Sequence, residues 1–104
     1  MSLTKEIQLS DRHRAIVDAI LVREGQRIGR VSVFGSRATG RARPSSDLDL
    51  VVFPPAPPKT LGDLRIALEE SDLPIFVDVV AWDSIRSDRL RAEIERDAVD
   101  WMTK

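Results

Sequence analysis

Apolar residues recur along the chain in two rhythms, and the switches between them set the expected order of elements. Ile16, Val17, Ile20 and Leu21 fall at helical spacing after Ser10 or Asp11, either of which can cap a helix running to about Glu24. Gly25 and Gly29 bracket the turn that follows. Val31, Val33 and Phe34 form a short β-type run that stops at Gly35, and Leu48, Leu50, Val51, Val52 and Phe53 form a second. Pro54, Pro55, Pro57 and Pro58 make a stiff exit that reads as a loop, not an inter-domain linker, because the element pattern resumes at once. Thr60 with Asp63 three residues on looks like a start close to a capping box, and Leu61, Leu64, Ala67 and Leu68 carry an apolar stripe to about Ser71. Leu73-Pro74 opens a third strand, Ile75 to Trp82, apolar except at Asp78. A last amphipathic helix is expected from Asp83 or Ser84, with Ile85, Leu90, Ile94, Ala98 and Trp101 as its buried stripe. Trp101 and Met102, so near the end, are alternatively part of a partner surface.

The order helix, strand, strand, helix, strand, helix predicts an α/β fold: a small mixed sheet of at least three strands with helices packed on one face. The opposite face is then left open for polar chemistry. At 104 residues the chain is expected to form one domain, 1–104, with a real core but no room for a separate acceptor-binding domain. Sixteen basic and 17 acidic residues give a formal net charge of −1, so nothing draws the chain as a whole toward nucleic acid, and direct nucleic-acid binding is not expected. The absence of cysteine excludes disulfides and thiolate metal sites. No apolar run approaches the length of a membrane span or a signal peptide, which makes the cytoplasm the expected location.

The chemistry concentrates between Val31 and Phe53. Gly35 suits a tight turn or the close approach of a ligand to the backbone, and Ser36 offers a hydroxyl and an amide to a phosphate. Asp47 and Asp49 stand two apart in Asp47-Leu48-Asp49-Leu50; on a strand both project from one side, about 6.6–6.8 Å apart, a separation that one or two hard cations bridge. Without a cation the pair repels, and one member tends to take up a proton. A helix starting at Ser36 would aim its amides at an anion. Arg37 and Arg43 are then candidate phosphate contacts, Arg41 reads as solvated, and Ser46 supports the loop or a ligand oxygen. Pro44 biases Arg43 away from the helical region and ends any short helix before the second strand. Asp78, in the middle of Phe76-Val77-Asp78-Val79-Val80, is open to two explanations, metal coordination or a buried arginine pair, because an unpaired buried charge is costly. His13 has no acid or second histidine at ligand spacing and reads as a surface or capping residue.

Gly35-Ser36-Arg37-Ala38-Thr39-Gly40, then Arg43 and Ser46-Asp47-Leu48-Asp49-Leu50, resembles the nucleotidyltransferase superfamily of DNA polymerase beta, and within it the minimal nucleotidyltransferases that pair with HEPN-domain proteins as toxin and antitoxin. One departure is Thr39, where many relatives carry a basic residue. The resemblance implies a polymerase beta-like fold with Asp78 as the third acid, beside the first two. It implies that Asp47, Asp49 and Asp78 hold Mg²⁺, as two ions, with Mn²⁺ as a substitute, while Gly35, Ser36, Arg37, Arg43 and Ser46 bind the nucleotide. The implied reaction transfers AMP from ATP to a protein hydroxyl, a tyrosine of a HEPN toxin, which makes the chain an antitoxin. The rival reading is a nucleotide-binding antitoxin that neutralises its partner by steric contact, and the acidic trio, which masking does not need, weighs against it. A small-molecule nucleotidyltransferase of the antibiotic-modifying kind is a third reading, opposed by the lack of an acceptor-binding domain. Base preference, acceptor and self-association are not legible.

Overall fold

The computed structural model describes residues 6–101. Helix α1 (Asp11–Glu24) starts where expected: the Ser10 hydroxyl accepts from the His13 amide at 3.2 Å, which is the capping role open to that histidine's turn. Val17, Ile20 and Leu21 form its buried stripe. Strand β1 (Val31–Phe34), the single-turn helix α2 (Ser36–Thr39) and strand β2 (Leu48–Val52) follow. Then come helix α3 (Pro58–Glu69), strand β3 (Val77–Ala81), a 3-10 turn (Trp82–Ser84), helix α4 (Asp88–Asp97) and a two-residue strand β4 (Val99–Asp100). The proline stretch is a loop, as expected. It is tied back to the core where the Gly29 amide donates to Pro55 O at 2.7 Å.

The sheet is mixed, in the order β3-β2-β1-β4. β1 and β2 are antiparallel with Phe34 opposite Asp49, β2 and β3 are parallel with Asp49 opposite Asp78, and β4 is antiparallel to β1. Side-chain alternation then divides the core. Leu48, Leu50 and Val52 pack with Val17, Leu21, Leu61, Leu64 and Leu68, the face covered by α1 and α3. Val51 and Phe34, pointing the other way, meet Val80, Ile85, Leu90 and Ile94.

This second cluster corrects the expectation of helices on one face alone, because α4 covers part of the other. It leaves open the end at which β1 stops and β2 begins. Three boundaries also differ. β3 is shorter than Ile75 to Trp82, because register pairs its first residue, Val77, with the first of β2, Leu48. α3 begins at Pro58 with no side-chain cap; proline at the first helical position has the required φ already, so Thr60 lies inside the first turn. α4 begins at Asp88, where the Ser87 hydroxyl accepts from the Leu90 amide at 3.1 Å, leaving Ile85 between the 3-10 turn and the helix. The partner-surface reading of Trp101 is overturned. Its indole is 3% exposed, donates to Asp18 Oδ1 at 3.1 Å and lies under the Arg14 guanidinium. Met102 lies outside the described residues.

Candidate active site

Gly35 joins β1 to α2 with φ +74°, a conformation that residues bearing a Cβ rarely adopt. A Cβ there would also stand 2.5 Å from Asp49 Oδ2. The turn and the carboxylate are therefore close neighbours: the backbone angle demands glycine, and any Cβ would push the Asp49 carboxylate aside. Ser36 follows, half-buried, as the first residue of α2, and the helix ends at Gly40 in the left-handed region with φ +79°. Thr39 is exposed, its hydroxyl turned back toward the Gly35 and Ser36 carbonyls.

Asp49 is half-buried in β2, flanked in register by Phe34 and Asp78. Asp47 is exposed and just precedes the strand. Asp78 is exposed as well, which removes the premise of a buried charge: it points to the second face, at the end that α4 does not cover. No arginine pairs with it. Among the described residues none of the three carboxylates has a hydrogen-bond or ion-pair partner. Burial, then the charges of Asp78 and Asp47, push the Asp49 carboxyl up to about 6. Among the described residues no three acid or histidine side chains are drawn together in metal-holding geometry. The donor set nonetheless suits a hard divalent cation: all-oxygen, anionic and without internal compensation.

Arg37 is not a phosphate contact. It is 6% exposed, and its guanidinium is engaged with backbone carbonyls: Nε and Nη2 donate to Ser46 O at 3.2 and 2.9 Å, Nη2 also reaches Arg43 O and Pro44 O, and Nη1 donates to Gln8 O at 2.7 Å. Following a phosphate turn in sequence does not fix where a long side chain points. Ser46 supports the loop: its hydroxyl accepts from the Arg43 amide at 2.8 Å, and its own amide donates to Arg43 O at 2.9 Å. Arg43 itself is exposed. Gln8 was not foreseen. It lies in a stretch without periodicity, and no sequence signal points to it.

Comparison with known proteins matches residues 14–100 to the family described as nucleotidyltransferase domain. The chain belongs to this family. A solved structure described as a minimal nucleotidyltransferase is 35% identical, covering 85% of this chain and 88% of that one, with a TM-score of 0.60. Two further structures share the nucleotidyltransferase fold at low identity. One is a toxin–antitoxin complex with AMP-PNP, at 20% identity and TM-score 0.68 over 88% of this chain and 73% of that one. The other is the tri-AMPylated Shewanella oneidensis HEPN toxin in complex with its MNT antitoxin, at 17% identity and TM-score 0.65 over 92% of this chain and 74% of that one. In sequence, the chain is 42% identical over 60 residues to a Haemophilus influenzae protein named "Probable protein adenylyltransferase MntA", covering 56% of this chain and 53% of that protein. The chain thus spans about half the length of this curated relative. The family expected from Gly35-Ser36 and Asp47-Leu48-Asp49 is the family found. In this chain Asp49 lies on β2, an inner strand of the mixed sheet, and Asp47 just before it.

Proposed function

We propose that the chain is a Mg²⁺-dependent protein adenylyltransferase, acting in the cytoplasm, that moves AMP from ATP to a tyrosine of a HEPN toxin and so serves as its antitoxin. One observation carries the reading: Asp49 stands opposite Asp78 in register at the open end of one sheet face, and burial with the charges of Asp78 and Asp47 disfavours it as an anion, yet none of the three has a cationic partner among the described residues. Such a group destabilises the chain unless a ligand compensates it. The similarity to the MntA protein, and the AMP-PNP and AMPylated toxin in the related structures, support the choice of nucleotide and acceptor.

In this reading Asp47, Asp49 and Asp78 hold two Mg²⁺ ions, with Mn²⁺ as a substitute. When bound, the ions offset the triphosphate charge and ease deprotonation of the attacking hydroxyl. Gly35 keeps the start of α2 clear of side chain, so that the Ser36 amide and hydroxyl reach phosphate oxygens. Arg43, exposed on the loop before β2, adds a cation for the phosphates. Asp78, on the edge strand β3, orients the acceptor hydroxyl, whose oxygen bonds to the α-phosphorus as pyrophosphate leaves. Calorimetry tests the core of this account: wild-type chain should bind ATP with Mg²⁺ or Mn²⁺ and lose most of that affinity in EDTA, and Asp47→Asn/Asp49→Asn should abolish the metal dependence while remaining folded. Equal affinity with and without EDTA would refute it.

A further inference from the structure

Asp49 and Asp47 are placed by different means. Asp49 takes its position from the ladder, between Phe34 and Asp78. Asp47 precedes the first strand residue, Leu48, so its position depends on whatever fixes the loop before it. Two side chains fix that loop from outside. The Gln8 amide grips Ala42 on both sides, Nε2 donating to Ala42 O at 2.8 Å and Oε1 accepting from Ala42 N at 3.0 Å. Arg37 donates to the carbonyls of Arg43, Pro44 and Ser46, the last of these next to Asp47. The two are locked together, since Gln8 N donates to Arg37 O and Arg37 Nη1 donates to Gln8 O, both at 2.7 Å.

We infer that Gln8 is a positioning residue: through Ala42 and Arg37 it holds the 42–46 loop, and with it Asp47, in the arrangement that receives metal and nucleotide. What is received rests on the function proposed above; the clamp does not. A primary amide supplies the donor and the acceptor that Ala42 requires, whereas a carboxylate supplies only the acceptor and alanine neither. Gln8 is exposed, so replacing it opens no core cavity. Without the clamp the loop visits other arrangements, and apparent ligand affinity falls by the fraction still competent.

The test uses the full chain as wild type, Gln8→Ala and Gln8→Glu, with amide hydrogen exchange at Ala42, Mg-ATP calorimetry and transfer rates at saturating Mg-ATP. In Gln8→Ala the Ala42 amide should exchange about tenfold faster and Mg-ATP affinity should fall about three- to tenfold, while the saturated rate changes far less, because bound ligand restores the loop. Gln8→Glu, which keeps the acceptor, should retain Ala42 protection and fall between the two in affinity. Unchanged Ala42 exchange in Gln8→Ala would remove the clamp. Faster exchange with unchanged affinity, or a loss confined to the saturated rate, would overturn the positioning role. A wild-type chain that binds no Mg-ATP refutes the proposed function instead, and the clamp is then judged on the Ala42 amide alone.

Discussion

Replacing Asp49 with asparagine removes one of three like charges while keeping the shape of the side chain, so the ligand-free chain should become more stable at neutral pH. The sign follows from the raised carboxyl. Between about 4 and 6 the folded chain holds a proton that the unfolded chain has lost, so this group's contribution to stability declines as pH rises through that window. After discounting for solvent screening at a half-exposed group, the gain for Asp49→Asn is about 1 kcal/mol at pH 7, vanishing near pH 4. Urea titrations at both pH values measure it, and an equal gain at both would reject the electrostatic cause. Gly35 offers the complementary test. Gly35→Val places a branched side chain at positive φ and against Asp49 Oδ2, so a variant shown to be folded by circular dichroism should no longer bind Mg-ATP. Normal binding by a folded variant would make the turn purely structural.

These residues were legible for a physical reason. Asp49 and Gly35 are specified by local geometry, a position on a regular strand and the steric freedom of one residue, whereas Asp47, just before β2, also depends on the loop that leads into it. Asp78 was singled out on the premise of a buried charge, which its exposure removes; that exposure depends on where α4 stops, which strand composition does not reveal. Arg37 and Gln8 depend on contacts reaching across the fold, and Gln8 carries no periodicity at all.

Among elements, α1, β1 and β2 were predictable because their apolar spacing is regular and their ends are marked by Ser10 and the glycines. α4 was misplaced because Ile85, taken as part of its stripe, belongs to the connection before it. β4 has two residues, too few for any alternation, and it exists because Val99 and Asp100 pair with Val33 and Ser32. The Ser32 hydroxyl, buried in β1, donates to Asp100 Oδ1 at 2.7 Å and helps hold that pairing. Just beyond it, Trp101 ties the segment to α1 and is expected to be central to stability. Trp101→Ala should cost about 3–5 kcal/mol by urea denaturation, and Trp101→Phe, which loses the hydrogen bond to Asp18 with less volume, about 1–2 kcal/mol. Losses under 1 kcal/mol for both would place Trp101 outside the core.

For the molecule as a whole, the mixed sheet with α1 and α3 on one face and α4 on part of the other leaves a single end of the second face for the acids. No helix among the described residues is long and apolar enough to cross a membrane. The claim that this end transfers nucleotide, not merely binds it, is tested most directly by intact-mass spectrometry of a purified HEPN protein, the partner proposed above, after incubation with the chain, ATP and Mg²⁺. Wild type should add one or more AMP units to the partner. Asp78→Asn, which leaves the Gly35-Ser36 turn and the Asp47–Asp49 pair in place, should retain most Mg-ATP binding yet add none, as when transition-state contacts are lost and ground-state binding remains. A partner whose mass never changes although wild type and Asp78→Asn inhibit it equally would contradict the account and establish steric masking in its place.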